Sequence, residues 1–364
     1  MAPDPEESPR AALHRLSGGY RTTQAVYVMA RLGVADRLAS GPKDALTLAG
    51  EVGADPDRLH RVLRMLVSLG VLTMDELGRF GLSGVGELLR SDVRGSMLAF
   101  ALFQGEEPYR AFGELLHTVQ NGETAFDHIY GTGHFEYLAQ HPEARSTFHR
   151  AMASTIASMG SPLRGYEMGP HKLMVDVGGG NGELLSETLR SHPSLRGLLF
   201  DLPEAVKGAQ ARFSEAGVAD RCEVRTGSAF ESVPAGGDLY VMSRVLHDWP
   251  DERARLLLTN CHRAMKPDGT LLLIESVLPE PRAPAPLLSR DLMMMVMNGG
   301  RERTEREWRS LLESGGFALS RVHVADGTFR LIEASPLPPH VDQAPGAGAP
   351  ETDASAGRSR SHPG

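Results

Sequence analysis

Residues 172–201 read KLMVDVGGGNGELLSETLRSHPSLRGLLFD, and no other stretch limits the possible folds as strongly. A β-branched run holding Val175 and Val177 ends in four glycines across five positions. An amphipathic helix follows from Glu183, and a second apolar run, Leu198 to Phe200, stops at Asp201. Glycines between a strand and a helix permit a tight turn and let the backbone approach a ligand closely. An acid at the tip of the next strand is placed to take both hydroxyls of a ribose. The pattern therefore predicts a βαβ unit that binds a nucleoside.

Glycine spacing narrows the ligand. Gly178, Gly180 and Gly182 form G-x-G-x-G, whereas a dinucleotide fingerprint is G-x-G-x-x-G. Glu183 stands where the third dinucleotide glycine would be, and an acid in the first turn of that helix repels a pyrophosphate. S-adenosylmethionine carries no phosphate, and acidic surroundings suit its amino acid, sulfonium and adenosine. A purely structural glycine turn and a dinucleotide site are the alternatives to this reading.

With 364 residues there is room for two or three domains. A net charge of −8 with no long basic run leaves phosphate-backbone binding without its electrostatic footprint. Cys222 and Cys261 have no CxxC or zinc spacing and read as ordinary buried thiols of a reducing compartment. The start, MAPDPEESPR, is unlike a signal peptide, and the longest strongly apolar run, Leu292 to Met297, is far short of a membrane span. The expectation is a soluble cytoplasmic protein that needs no metal.

Residues 1–10 read as disordered. Residues 11–95 carry helical periodicity and then two short strand-like pieces, Val71–Met74 and Phe80–Leu82, which is a winged-helix pattern. Arg58, Arg61 and Arg64 recur every three residues on the helix from Asp57, as a DNA reader would need, but a charged stripe is usually a solvated face. Residues 96–165 read as a helical connector, with helices at 109–120, 133–141 and 142–158. From 166 to 335 strand and helix alternate, the mark of a doubly wound parallel α/β sheet. Strands are expected at 173–178, 196–201, 222–227, 237–243 and 269–276, with two more near 317–324 and 328–334 around Asp326-Gly327. That pair is a hairpin signal and makes the last strand antiparallel. Residues 336–364 cannot bury a core and read as a disordered tail.

Ligands of such sheets bind at the carboxyl ends of the strands. After the fourth strand comes Ser243-Arg244-Val245-Leu246-His247-Asp248-Trp249-Pro250, the fifth places Glu275 near its tip, and NGGRERT brings Glu302 just ahead of a helix. Thr304 and Glu307 spell a capping box that fixes where Glu302 points. One histidine and two carboxylates thus converge beside the glycine turn. Asp248 either orients the histidine or caps the following helix, and a helix-capping role is also the structural alternative for His247. Met293, Met294, Met295 and Met297 lie on a helix, divided between core packing and a plastic apolar pocket that also takes in Asn298.

The strings VGGGNG, FDLP, VLHDWPDE, IESVLP and GGRERT, in this order across residues 10–335, resemble the S-adenosylmethionine-dependent O-methyltransferases of small molecules. That family includes the caffeate, hydroxyindole and bacterial antibiotic-tailoring enzymes. The resemblance implies a Rossmann-like catalytic domain, a winged-helix-like dimerisation domain and a homodimer. It implies His247 as general base supported by Glu275 and Glu302, and a cofactor held by Gly178, Gly180, Asp201, Ser228, Ala229 and Ser243. It places Met152, Asp248, Met294 and Asn298 at the acceptor. Two departures stand out: Ser228 replaces the aspartate usual after the third strand, and Ser243 replaces the lysine of plant relatives. Methyl transfer to a hydroxyl of an aromatic or polyketide-like molecule is the expectation. Cofactor-assisted hydroxylation or decarboxylation on the same fold is one alternative, and a winged-helix DNA regulator is another.

Overall fold

The computed structural model describes residues 7–159, 163, 165–324 and 329–338. Its N-terminal unit comprises α1 (Pro9–Ser17), α2 (Gly19–Arg31), α3 (Val34–Leu38), α4 (Ala45–Val52), α5 (Pro56–Ser68), the strands β1 (Leu72–Met74) and β2 (Phe80–Leu82), and α6 (Gly84–Glu87). Asp44 and Asp55 each cap a helix by accepting a backbone N–H three residues on. Leu59, Leu63 and Leu66 on α5 point inward with Met29, Leu48 and Phe80, while Arg58, Arg61 and Arg64 are exposed. The hairpin β1–β2 completes the wing. Ser8 caps α1, so Pro9 and Arg10, read from sequence as disordered, are helical.

The connector holds α7 (Leu98–Gly105), α8 (Glu107–Gly113), α9 (Leu115–Asn121), α10 (Ala125–Tyr130), α11 (His134–Gln140) and α12 (Pro142–Met159). The single helix expected over 109–120 is two helices. Glu114, at φ −107° and ψ 21°, breaks it so that α8 and α9 can both pack beside α10.

The C-terminal half is a sheet flanked by helices on both faces. Its elements are β3 (Leu173–Val177), α13 (Glu183–Ser191), β4 (Arg196–Asp201), α14 (Ala209–Glu215), β5 (Cys222–Thr226), β6 (Leu239–Ser243), α15 (Asp251–Ala264), β7 (Thr270–Leu278), α16 (Ala285–Met297), β8 (Arg303–Thr304), α17 (Glu305–Ser314), β9 (Phe317–Val324) and β10 (Phe329–Pro336). The main sheet runs β5-β4-β3-β6-β7-β10-β9, with β10 antiparallel to both neighbours. The Asp326-Gly327 turn itself lies outside the described residues. Strand β10 includes Pro336, and the Leu337 N–H donates to the Gly316 carbonyl at 2.7 Å, so the ordered fold reaches past the expected start of the tail.

Both sheet faces are apolar because successive strand residues point opposite ways. Val175, Val177, Tyr240, Met242, Leu271 and Leu273 pack against α15 and α17. Met174, Leu199, Leu239, Val241 and Leu272 pack against α13 and α14. Strand order reverses between β3 and β6, which opens a cleft above their carboxyl ends. Cys261 is buried as expected, but Cys222 at the sheet edge is only half-buried. No helix of the described residues is long and apolar enough to cross a membrane.

Trp308 is fully buried and its Nε1 donates to the Ser276 carbonyl at 2.9 Å, fastening α17 beneath the end of β7. Trp308→Ala is therefore expected to cost about 3–5 kcal/mol of unfolding free energy, measurable by urea denaturation. An unchanged denaturation midpoint would contradict the packing described for α17.

Candidate active site

Two groups of side chains meet at the cleft. The first is built on the glycine turn. Gly178, Gly180 and Gly182 have φ of 73°, 58° and 77°, a region that residues with a side chain rarely enter. A Cβ on Gly182 would lie 2.6 Å from the Phe213 ring, and one on Gly178 would lie 2.7 Å from Val245. At Gly180 a Cβ would meet open space, so this backbone faces the cleft. The Gly180 N–H donates to Asp201 Oδ2 at 2.8 Å, and the Leu202 N–H donates to Oδ1 at 2.7 Å. Burial raises the Asp201 pKa, although these two donors work against it.

Behind the turn lies Asp176, fully buried with neither carboxylate oxygen hydrogen-bonded. Burial, assisted by repulsion from Asp201, lifts its pKa to about 7. Glu183 in the first turn of α13 pairs with Arg212. A cleft edged by Asp201, with a second acid buried beneath the turn, fits a ligand bearing positive charge and a diol, and disfavours a phosphate. After β5, Ser228 accepts the Phe230 N–H at 3.3 Å, which leaves its hydroxyl proton to donate. Asn260, not singled out from sequence, pins this turn by donating to the Ala229 and Phe230 carbonyls. Ser243 is half-buried at the end of β6.

The second group is built around His247, on a short helical turn of residues 246–248 after β6. Glu275 is fully buried, and its Oε1 accepts the N–H groups of Val245 at 3.1 Å and Leu246 at 2.9 Å. Its Oε2 lies 3.7 Å from His247 Nδ1. Glu302 Oε1 is closer to the same nitrogen, at 3.0 Å. A carboxylate only accepts, so Nδ1 keeps its proton in either form of the ring, and Nε2 is the nitrogen with the free lone pair once the imidazole is neutral. The nearest acid to Nε2 is Asp248, at 3.8 Å. Burial would lower the His247 pKa, but Glu275, Asp248 and Glu302 together outweigh it and lift it to about 9. Burial likewise raises Glu275 to about 7 despite the cation beside it. Glu302 moves down, because its bond to His247 and the nearby Arg290 overcome burial.

Local structure explains the convergence. Strand β7 continues past the main sheet to pair in parallel with β8, Val277 opposite Arg303, which sets Glu302 beside the Glu275 end of the strand. Glu302 is also held by its own N–H, which donates to Asp291. Thr304 and Glu307 form the expected capping box. Arg303, fully buried, donates to the carbonyls of Leu246 and Trp249 and to Asp251, clamping the histidine loop from behind. Gly300 lies against the same loop, where a Cβ would collide with the His247 carbonyl, and the Arg301 N–H donates to that carbonyl at 2.9 Å.

Asp248 caps nothing: α15 begins at Asp251, with Pro250 at its N-cap and no side-chain cap bond. Its Oδ1 instead accepts from Asn298 Nδ2 at 2.7 Å, which removes the helix-capping alternative. The structure thus joins His247, Glu275, Glu302, Asp248 and Asn298 in one network. Met152 and Met294 lie outside it, half-buried on α12 and α16, and Met297 is buried in the core. Arg244 escaped the sequence reading. It is the one non-glycine residue at positive φ among the described residues, at 56°, and its NH1 donates to Thr155 Oγ1 at 2.7 Å. Spacing alone also does not reveal that His117, Glu123 and His128 gather on the surface. Their two imidazoles stack at 3.7 Å and 14°, so the in-plane lone pairs do not aim at a common ion.

Known proteins resemble this chain over most of its length. A family model for the O-methyltransferase domain matches residues 112–318, and one for the O-methyltransferase dimerisation domain matches residues 14–92. The phenazine O-methyltransferase PhzM of Lysobacter antibioticus is 45% identical over 88% of this chain and 94% of its own length. The 8-amino-8-demethylriboflavin N,N-dimethyltransferase of Streptomyces davaonensis is 34% identical over 92% of this chain and 98% of its own. The O-methyltransferase NcsB1 from neocarzinostatin biosynthesis was solved with S-adenosylmethionine and 2-hydroxy-5-methyl naphthoic acid. It superposes with a TM-score of 0.78 at 34% identity, over 87% of this chain and 96% of that one.

Gly300→Ala is expected to destabilise the protein by about 1–3 kcal/mol, because the collision is with backbone that has nowhere to move. Thermal unfolding checks this, and a wild-type melting profile would show that the loop is less closely packed than described.

Proposed function

The chain belongs to the S-adenosylmethionine-dependent O-methyltransferase family, and from that premise we propose that it methylates a hydroxyl of an aromatic or polyketide-like small molecule with His247 as general base. S-adenosylmethionine, when bound, supplies an electrophilic methyl group on a sulfonium. In this reading Asp201 takes the ribose hydroxyls, Gly178 and Gly180 border the amino acid end, and Asp176 supplies negative charge behind the turn. Ser228, Ala229 and Ser243 line the remaining wall. Met152, Asp248, Met294 and Asn298 border the acceptor.

The observation that carries the proposal is the fixed tautomer of His247, its Nδ1 held by Glu302 at 3.0 Å and its Nε2 left to accept a proton. Glu275, Glu302 and Asp248 all favour the imidazolium that forms on proton abstraction, as the aspartate does in a serine protease triad. This arrangement favours oxygen over nitrogen as the acceptor atom, even though a relative is named as an N,N-dimethyltransferase. A neutral amine attacks without a base, whereas a phenol of pKa about 10 gains from losing its proton as it attacks. It also gives no reason for the fold to have turned to hydroxylation or decarboxylation.

The N-terminal unit is assigned to homodimer formation. Leu13 and Leu16 on α1 and Tyr20 on α2 are 66%, 66% and 56% exposed, an apolar stripe that a second copy of the chain would cover. The arginines of α5 are read as a solvated face.

His247→Ala is expected to lower kcat about 10²–10⁴-fold, while calorimetry finds S-adenosylmethionine affinity nearly unchanged. Turnover close to wild type would remove the base assignment. The neutral imidazole fraction grows tenfold per pH unit below about 9, so kcat/KM is expected to rise with pH up to that point. Asp248→Asn deletes a charge that raises the His247 pKa, and the rising limb should therefore move to lower pH. A profile flat from pH 7 to 9 would contradict this account.

A further inference from the structure

Asp248 is held by more than its neighbour on the loop. Asn298, at the C-terminus of α16, donates to it through Nδ2 at 2.7 Å, and the Asn298 Oδ1 lies 3.0 Å from His134 Nδ1. The direction of this chain is fixed by chemistry. An ionised carboxylate only accepts, so Asn298 must turn its nitrogen to Asp248 and its oxygen to His134, which must then donate from Nδ1. His134 is the first residue of α11, 5% exposed, with the Phe126, Phe135 and Phe148 rings centred 5.0–5.4 Å from its own. Its Nε2 has no hydrogen-bond partner. Burial pushes its pKa down to about 4 although Asn298 works the other way, so it stays a neutral donor at working pH. An imidazole in an aromatic box that spends its one N–H on Asn298 has no evident packing advantage over a fourth phenyl ring.

We propose that His134 is a positioning residue for the catalytic cluster: through Asn298 it fixes the Asp248 carboxylate beside His247, so that α11 must be seated before the imidazole has its full set of acids. The inference rests on His247 being the base, and it adds a helix from outside the sheet to the machinery. Burial raises the Asp248 pKa against the pull of His247 and Asn298, and without the His134 donor the Asn298 amide is free to rotate and that opposing hydrogen bond is lost. A more readily protonated Asp248 supports the imidazolium less. The other charged groups facing this pair are Glu275 from β7, Glu302 ahead of β8, Arg244 after β6 and Arg290 from α16. None of them belongs to the chain of bonds from His134.

The test is the titration of the His247 imidazole, followed by ¹⁵N NMR in the full-length protein with neither acceptor nor turnover. His134→Phe keeps the ring volume and deletes the donor, Asn298→Ala breaks the same chain from its middle, and Asp248→Asn removes its end. Each is expected to lower the proton affinity of His247 about tenfold. The double variant His134→Phe/Asp248→Asn should fall no further than Asp248→Asn alone. His134→Asn, whose amide N–H can replace the imidazole Nδ1–H, should restore most of the loss. A midpoint unmoved in both His134→Phe and Asn298→Ala, or a loss that adds to that of Asp248→Asn, overturns the proposal. Because no methyl transfer is measured, that failure is separate from a failure of the base assignment, which His247→Ala reads in turnover.

Discussion

The Glu275 carboxylate is the interaction on which the site depends. It is fully buried, and one of its oxygens holds the backbone of the turn that carries His247 while the other faces that imidazole. A buried carboxylate is costly unless donors and an opposite charge surround it. Two backbone N–H groups and His247 supply both, so the turn cannot relax without exposing an unpaired acid. The raised pKa of His247 is the other side of the same arrangement. The imidazolium is the form the surrounding acids are organised to hold, which is the form that exists after a proton has been taken.

Arg303 does for the outside of that loop what Glu275 does for its inside. Its guanidinium fills the carbonyls of Leu246 and Trp249 and reaches Asp251, while the short β7–β8 pairing sets its backbone. The histidine loop is thereby held from two sides by residues that come from different strands. A link to the cofactor turn runs through Gly178, which has no side chain because Val245 occupies that space. The glycine turn and the His247 loop therefore pack directly against each other, which suits a transfer in which aligned reacting atoms account for much of the acceleration.

Much of this could be read from the chain. Alternating apolar runs gave the strands, since both faces of the sheet are covered and each position has a fixed side. The glycine turn, the acid at Asp201 and the capping box at Thr304 follow from local spacing, and the convergence of His247 with Glu275 and Glu302 follows from their places at the carboxyl ends of the sheet. What the sequence left unread is long-range. Nothing in GTGHFEYL marks His134 as part of the site, because its partner is 164 residues away. Arg244 gives no periodic signal, and its left-handed backbone, costing about 1–2 kcal/mol, is visible only in three dimensions. The break at Glu114 likewise follows from where α10 packs, since the run itself has good helical periodicity. For Asp248, cap and orienting group look alike in sequence, and only the hydrogen bond from Asn298 separates them.

Helix α16 ties the connector to the His247 cluster. At its middle Arg290 bonds to Ser276 and Asp291 receives the Glu302 N–H, and just past its end Asn298 grips Asp248. Met293, Met295 and Met297 pack against the connector, so a substitution that refits this helix must also refit α8 and α10. Yet each anchoring point reaches the strand end or the loop around His247. Grafting α16 from a relative as an isolated helix would therefore part Asp291 from its matched Glu302, whereas a cassette spanning residues 285–304 keeps that pair together and needs only Ser276 and Asp248 from the new host.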